Sequence, residues 1–449
     1  MQIGCSQLRI TCLDPRAAVL RPLSLMATRG ALSSAAAVVV PAVVAGALYC
    51  MLRRRWLLPP EKPDLDEAAA RECWPPCLTP GDGPHQLSFR TITNRQGLRI
   101  ATYAIRAPEP AGAVIIVHGF RVSARFEFIG PATPGGAHTQ WDGSVLSELL
   151  ARGVSLYLLD LQGHGQSDSA RGARAHVECF DDYAHDVLQF AREIVIPELR
   201  DLRHICPPPP LFLYGQSLGG GIVVRVSQLS AGHISGYPIH GLVCGAPLIQ
   251  IGSSLPRRTV WKVRILSWLW PTRMSDWPTS LNGIDPEAYA RELAHEPTHY
   301  HGGIRLQLFS EVKRVSDGFV GPSDGPLALE NVHATALLTC ISYADQLVEW
   351  QGAQALYERA CRVRRRTLVL VKGMARTGLP DRAGAARTIA DGAEPVAADR
   401  SIWSDEVLSL PLWHNLTREP QGERLARAIA EWVEGECARA AHSAMRCEV

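Results

Sequence analysis

A serine lies between two glycines at the point where an apolar run ends. The run Pro210 to Tyr214 leads into Gly215-Gln216-Ser217-Leu218-Gly219, and the small and apolar residues 220–224 follow. This order predicts a strand, a tight turn and a helix, in which the turn lifts the Ser217 hydroxyl clear of the backbone. The pattern indicates a nucleophile for acyl transfer, and a serine that only caps the following helix is the competing interpretation.

A serine nucleophile needs a base and an acid, and both have candidates further along the chain. His414 is the candidate base that takes the hydroxyl proton, with His442 in the polar tail as its competitor. Asp345, which follows the apolar run 336–341, is the candidate carboxylate that orients this imidazole, and Glu349 is its rival. The chain order serine, acid, histidine is the one expected of an α/β-hydrolase.

Backbone N–H groups are needed where negative charge develops on the substrate oxygen. The run 113–117 predicts a strand that enters His118-Gly119-Phe120, so the N–H groups of Phe120 and Leu218 are the candidate oxyanion donors. A second strand, 154–159, enters the glycine-rich turn 160–167, for which a structural role is predicted. The histidines of these two turns, His118 and His164, are predicted to be hydrogen-bonded structural residues.

Six segments together resemble the monoacylglycerol lipase and lysophospholipase branch of the α/β-hydrolases, over roughly residues 86 to 436. Because its oxyanion segment reads His-Gly-Phe-Arg, without the second glycine of the animal lipases, the chain is most similar to the lysophospholipase-like group of plants and protists. The segments are 118–120, 160–167, 179–183, 215–219, 345–352 and 413–416.

The resemblance implies an α/β-hydrolase fold, with a mostly parallel central sheet flanked by helices and a helical cap inserted before the catalytic acid. It implies a serine hydrolase that cleaves lipid carboxylic esters, monoacylglycerols or lysophospholipids, through an acyl-Ser217 intermediate and without a cofactor. A thioesterase, a transacylase or a peptidase with the same triad is the alternative, because folds of this kind host many chemistries. A membrane-tethered binding protein without activity is the alternative of another class.

Two patterns that would suggest a metal are set aside. His295-Glu296-Pro297-Thr298-His299 matches the zinc motif H-E-x-x-H, but that motif needs a continuous helix. Pro297 breaks such a helix and is instead predicted to start one. Cys73 and Cys77 lack a second Cys/His pair at ligand spacing, so no metal is predicted.

The hydrolase domain is predicted to span 86–436, with a cap at about 250–330 and a mobile insertion at about 374–410. Helical spacing of apolar residues in the cap predicts one apolar face that either packs on the core or contacts acyl chains or a membrane. A helix over 423–434 is predicted to close the domain, and 437–449 to form a tail. The residues of the apolar cap face, which are candidates for substrate binding, are Trp261, Ile265, Trp268 and Leu269.

The N-terminal part is predicted to attach the protein to a membrane. Residues 31–52 carry no charge and are long enough to cross a hydrocarbon core of ~30 Å, between a targeting or disordered segment, 1–30, and a linker, 53–85. The arginines at 53–55 favour a cytosolic catalytic domain. A cleaved organelle-targeting segment is the alternative, because arginines also precede the span.

The composition of the chain excludes some classes of partner. A formal net charge of +2 over 449 residues, without a basic stripe interleaved with aromatic residues, argues against nucleic acid. The 12 cysteines are scattered along the chain, which favours reduced thiols over a disulfide framework. The sequence leaves the oligomeric state open.

Overall fold

A central β-sheet carries the structure. The computed structural model of the chain describes residues 74–78, 86–202, 207–251, 255–275, 286–373, 403–419 and 421–447. In chain order its strands are β1 (Leu87–Thr93), β2 (Arg99–Ile105), β3 (Gly112–Val117), β4 (Gly130–Pro131), β5 (His138–Gln140), β6 (Val154–Leu159), β7 (Leu211–Gln216), β8 (His233–Ile234), β9 (Tyr237–Gly245), β10 (Ala336–Ser342) and β11 (Arg365–Val371).

The main sheet has the order β1-β2-β6-β3-β7-β9-β10-β11, and β8 pairs with β9; β4 and β5 form a separate pair. β1, β2 and β6 pair antiparallel, and every pairing from β6 through β3 and β7 to β11 is parallel. β3, β6, β7 and β10 are buried along their whole length, which explains why they read as continuous apolar runs without alternation. The predicted mostly parallel sheet is confirmed.

Helices flank this sheet, with α2 packed against α11 and α3 against α5. α3 continues through a turn of π-helix at 191–195 into α4. The helices are α1 (Ala124–Phe128), α2 (Val145–Ala151), α3 (Phe180–Phe190), α4 (Ile196–Asp201), α5 (Leu218–Ser230), α6 (Arg257–Leu269), α7 (Pro286–Ala294), α8 (Leu306–Phe319), α9 (Trp350–Arg359), α10 (Asp405–Leu408) and α11 (Gly422–Cys447).

The last helix is longer than the sequence indicated. Trp432 is buried against the ring of Phe212, as the predicted docking of this helix requires. The predicted tail from residue 437 is nevertheless helical to Cys447. The helix continues because buried Glu436 forms an ion pair with Arg365, and buried Cys437 packs against Gly112 of β3.

The excursion between β9 and β10 contains α6, α7 and α8 within the region predicted as a cap. It is tied to the segment after β3, because the guanidinium of Arg121 donates to the carbonyl of Tyr300 (3.1 Å) and Arg125 forms a buried ion pair with Glu296. α7 ends at Ala294, and Pro297 lies in a turn. The prediction that Pro297 starts a helix is therefore wrong, because the chain turns there.

Four predicted segments lie wholly or mostly outside the described residues: the N-terminal segment 1–30, the charge-free stretch 31–52, the linker 53–85, and the insertion, of which only 403–410 is described. Those eight residues pack on the sheet edge, where Trp403 is buried and Lys372 donates its N–H to the carbonyl of Leu408 (2.9 Å). Within the described part of the chain, no helix combines the length and the apolarity that crossing a membrane would require.

Replacing Trp432 by alanine is expected to destabilise the domain by about 3–5 kcal/mol, because the indole is buried between α11 and the sheet. Thermal unfolding followed by circular dichroism measures the effect. Met445→Ala, an exposed change on the same helix, is the control and is expected to leave the midpoint nearly unchanged. Equal midpoints for the two variants would show that α11 does not close the core.

Candidate active site

Ser217 occupies a strained turn at the carboxyl end of β7. Its φ of 54° and ψ of −116° lie in a region that non-glycine residues rarely adopt. The flanking glycines make the turn possible, because a Cβ on Gly215 would lie 2.1 Å from the carbonyl oxygen of Gly219. A Cβ on Gly219 would meet the carbonyl oxygen of Val117 in β3 at the same distance. Ser217 is thus pushed out of the buried strand and is partly exposed.

The structure brings Ser217, His414 and Asp345 into one hydrogen-bonded chain. The Ser217 hydroxyl lies 2.8 Å from Nε2 of His414, and Nδ1 of His414 lies 2.7 Å from Oδ2 of Asp345. The other carboxylate oxygen of Asp345 accepts the N–H groups of Leu347 and Val348 at 2.8 and 3.0 Å. These bonds orient a tautomer in which Nδ1–H donates to Asp345 and Nε2 accepts the serine proton, the arrangement that base catalysis needs.

Charge around His414 favours its protonated form. Burial lowers the pKa of this imidazole, but the charge and hydrogen bond of Asp345, with the charges of Glu127 and Glu419, outweigh burial and raise the pKa above its ordinary value. An imidazolium formed at His414 during attack on a substrate would therefore be stabilised where it forms.

The loop that carries His414 is fixed by three side chains. Gln216, the residue before the nucleophile, donates its amide to the carbonyl of His414 at 2.6 Å, and Ser342 donates its hydroxyl to the carbonyl of Leu412 at 2.5 Å. Buried Glu419 accepts three consecutive backbone N–H groups, those of 413, 414 and 415, at 2.5 to 2.9 Å. Burial raises the pKa of Glu419, and these three hydrogen bonds oppose the rise.

Two backbone N–H groups lie at the positions predicted for oxyanion donors. Leu218 is the first residue of α5, so its N–H is one of the donors that a helix leaves unbonded at its N-terminus. Phe120 follows β3, the strand that pairs with β7. A Cβ on Gly119 would lie 3.3 Å from Cβ of Ser217, so the segment before Phe120 runs directly alongside the nucleophile.

A buried carboxylate holds this oxyanion segment. Oε2 of Glu127, on α1, accepts the N–H of Gly119 at 3.3 Å. Burial raises the pKa of Glu127, while the positive charges of Arg418 and His414 lower it. Glu127 thereby holds the segment that leads into Phe120, whose N–H is the predicted oxyanion donor.

The two histidines predicted to be structural are buried and bond to the backbone. Nε2 of His118 accepts the N–H of Leu161 at 2.9 Å and its Nδ1 donates to the carbonyl of Gly119 at 2.7 Å, so the ring joins the oxyanion segment to the turn 160–167. Nδ1 of His164 lies 3.1 Å from the carbonyl of Gln162. Burial lowers the pKa of both imidazoles, which keeps them neutral.

The competing candidates lie elsewhere. Glu349 accepts the amide of Gln250 at 2.8 Å, and His442 is exposed on α11. The H-E-x-x-H segment follows the end of α7, so His295 and His299 do not share a helix face. Its Glu296 is used in the ion pair with Arg125.

The apolar cap residues predicted to bind substrate face the solvent. They lie on α6 and are among the most exposed large apolar side chains of the described residues. Of the two interpretations that the sequence leaves open for this face, packing on the core is therefore not the one that the structure shows. The residues are Trp261, Ile265, Trp268 and Leu269.

Sequence reasoning missed four residues that position the site, namely Glu127, Gln216, Ser342 and Glu419. Gln216 occupies a variable position of G-x-S-x-G, so the motif itself does not single it out. Glu127 and Glu419 look like ordinary helix and loop acids in the sequence. Only their spacing from the motifs, nine residues after His118 and five after His414, offered a signal.

Comparison with known proteins relates this arrangement to hydrolases. A family profile described as "Serine aminopeptidase, S33" matches residues 134–375. The chain is 26% identical to the monoglyceride lipase of Rattus norvegicus over 47% of this chain and 63% of that enzyme, and 26% identical to the monoglyceride lipase of Homo sapiens over 50% and 67%. The chain therefore spans less than two thirds of the rat enzyme.

A solved structure of a soluble variant of monoglyceride lipase from Saccharomyces cerevisiae superposes with a TM-score of 0.54. It is 16% identical, and the match covers 80% of this chain and 97% of that one. These matches confirm the predicted α/β-hydrolase fold and the resemblance to the monoacylglycerol lipase branch.

Gly219→Ala is expected to lower stability by about 3 kcal/mol or more and to abolish any activity of Ser217, because its methyl group would overlap the carbonyl of Val117. Thermal unfolding and active-site titration measure the two effects. Gly435→Ala on α11, where an added Cβ meets only the end of the Arg439 side chain, is the matched control. A Gly219→Ala protein with native stability would contradict the close contact between α5 and β3.

Asp345→Asn keeps the hydrogen bonds to 347 and 348 but removes the charge beside His414. We expect kcat to fall by about 10⁴-fold, as loss of the correct tautomer does in other triads. Attack requires neutral His414, so activity is lost as the pH falls through its raised pKa. The remaining activity of the variant is therefore expected to persist to lower pH. A pH–rate profile measures both effects, and an unshifted acid limb would argue against His414 as the base.

Proposed function

The chain belongs to the serine aminopeptidase family S33, and we propose that it is a serine hydrolase that cleaves carboxylic esters of lipids, monoacylglycerols or lysophospholipids. The observation that carries the proposal is the hydrogen-bonded chain of Ser217, His414 and Asp345 on a strained elbow. That geometry supports acyl transfer. The lipid ester comes from the names of the rat and human relatives.

The geometry supports a two-step reaction. Oγ of Ser217 attacks the ester carbonyl while its proton passes to Nε2 of His414, and the N–H groups of Phe120 and Leu218 stabilise the oxyanion. His414 then gives that proton to the departing alcohol, and the acyl group stays on Ser217. Water, deprotonated by His414, hydrolyses the acyl-enzyme and releases the fatty acid, with the proton returning to Ser217.

The nucleophile is tested by labelling the full chain with a fluorophosphonate probe, which reacts only with activated serines. Wild type is expected to react, while Ser217→Ala and His414→Ala, each shown to be folded by circular dichroism, are expected not to react. Ser443→Ala, an exposed serine on α11, is the matched control and is expected to label like wild type. A folded wild type that stays unlabelled would favour a binding protein without activity.

A substrate panel tests the scissile bond separately. Monoacylglycerol, lysophosphatidylcholine, an acyl thioester and an aminoacyl anilide are compared by kcat/KM, with added glycerol to detect acyl transfer to an alcohol. We expect the two lipid esters to be the best substrates. A higher kcat/KM for the anilide would overturn the ester assignment in favour of the peptidase activity that the family's description names, while leaving the triad in place.

A further inference from the structure

Helix α6 presents its apolar face to solvent. Trp261 is 65% exposed and Trp268 56% exposed, and Ile265 and Leu269 share this side of the helix. We call these four residues the tryptophan face. The residues that point towards the protein are small or short, and Ser267 is the buried residue of the helix. The orientation is opposite to that of an ordinary amphipathic surface helix, whose apolar stripe faces the core.

The charged side chains of the segment that carries the tryptophan face are all basic. Residues 255–275 contain five basic side chains and no acidic one. All five are exposed, and none forms an ion pair with another described residue. An apolar face with tryptophans and a rim of lysine and arginine is the pattern of helices that lie in the interface of a membrane. The five residues are Arg257, Arg258, Lys262, Arg264 and Arg273.

The helix is held in place at its C-terminal end. The segment after α6 pairs with the segment before α8: the N–H of Ser275 donates to the carbonyl of Ile304 and the N–H of Leu306 to that of Arg273, each at 2.8 Å. Met274 and Arg305 form an isolated β-bridge. The tryptophan face therefore belongs to a helix whose end is fixed by backbone hydrogen bonds.

Contacts connect this surface to the candidate active site. An added Cβ on Gly302 would lie 2.3 Å from the hydroxyl of Tyr300 and 2.8 Å from the sulfur of Met274, so these two side chains pack against the same side of Gly302. The ring of Tyr300 in turn packs edge-on against Phe120, with centroids 6.4 Å apart. Met274 is itself 52% exposed. Packed side chains, among which Tyr300 is buried, therefore link exposed Met274 to Phe120, the residue predicted to carry one oxyanion donor.

We propose that the tryptophan face and its basic rim form a docking surface for an anionic lipid bilayer. The apolar side chains would enter the boundary between headgroups and acyl chains, and the basic rim would contact anionic headgroups. The inference is distinct from the proposed hydrolysis, because binding to the bilayer requires no turnover. Together with that function, it places the protein at the surface from which a lipid ester would come.

Charge complementarity favours a lipid surface over a second copy of the chain. Pairing two such faces would bring ten positive charges together with no acidic partner, and like charges in contact oppose association. An anionic bilayer offers opposite charge and an apolar interior at the same surface. Zwitterionic lipid offers only the second of these.

Hydrogen exchange read by mass spectrometry tests the proposal on the full chain. The Ser217→Ala variant is used so that neither success nor failure of the proposed hydrolysis affects the result. Exchange of the peptide 257–270 is compared without vesicles, with phosphatidylcholine vesicles, and with vesicles in which roughly 30 mol% is phosphatidylserine. We expect exchange in this peptide to slow by about tenfold with the anionic vesicles and much less with the neutral ones.

Because the readout is local, attachment of the chain elsewhere does not mask it. Lys262→Glu/Arg264→Glu is expected to abolish the protection. Trp261→Ala is expected to reduce it. The matched control Arg362→Glu/Arg364→Glu makes the same charge change in the exposed turn before β11 and is expected to retain it. Equal exchange with and without anionic vesicles would overturn the proposal. Protection that appears without vesicles and grows with protein concentration would also overturn the proposal. It would show instead that a second copy of the chain covers this face.

Discussion

The clearance between α5 and β3 is the constraint on which the rest of the site depends. The backbone around Gly219 lies so close to the carbonyl of Val117 that only glycine fits, and this approach forces Ser217 into its strained conformation. Two backbone hydrogen bonds stabilise this strained conformation. The N–H of Ser217 donates to the carbonyl of Gly245 in β9, and the N–H of Leu248 donates to the carbonyl of Ser217. The order β3-β7-β9 therefore fixes both Ser217 and the segment that carries Phe120.

Buried carboxylates provide the second level of organisation. Asp345, Glu127 and Glu419 all lie close to His414, a density of acids that would be costly in an apolar interior without partners. Each is matched to backbone N–H groups: two for Asp345, one for Glu127 and three for Glu419. The acids thus serve as fixed acceptors that shape three separate loops. Their shared electrostatic effect is to raise the pKa of His414.

The parts of this arrangement that short sequence patterns determine were predictable. Continuous apolar runs identified the parallel strands. A few consecutive residues were also enough to identify the elbow, the acid after β10 and the histidine near Trp413. The parts set by contacts between distant segments were not predictable. Glu127 acts through its hydrogen bond with Gly119, and helix α11 continues past 436 because Glu436 forms an ion pair with Arg365. No local pattern distinguishes such a glutamate from a solvated one. The roles of the site residues in catalysis remain predictions that the geometry supports.

Helix α6 shows why periodicity alone could not assign its partner. An apolar stripe at i, i+4, i+7 and i+8 is identical whether the stripe contacts a protein core or a lipid surface, since both remove the same side chains from water. The opposite side of the helix decides between them. On that side of α6, Ser267 is buried where α6 packs against α8. The tryptophans point away from the protein. A water-exposed tryptophan face gains free energy only by finding another apolar surface, and the basic rim selects one that carries negative charge.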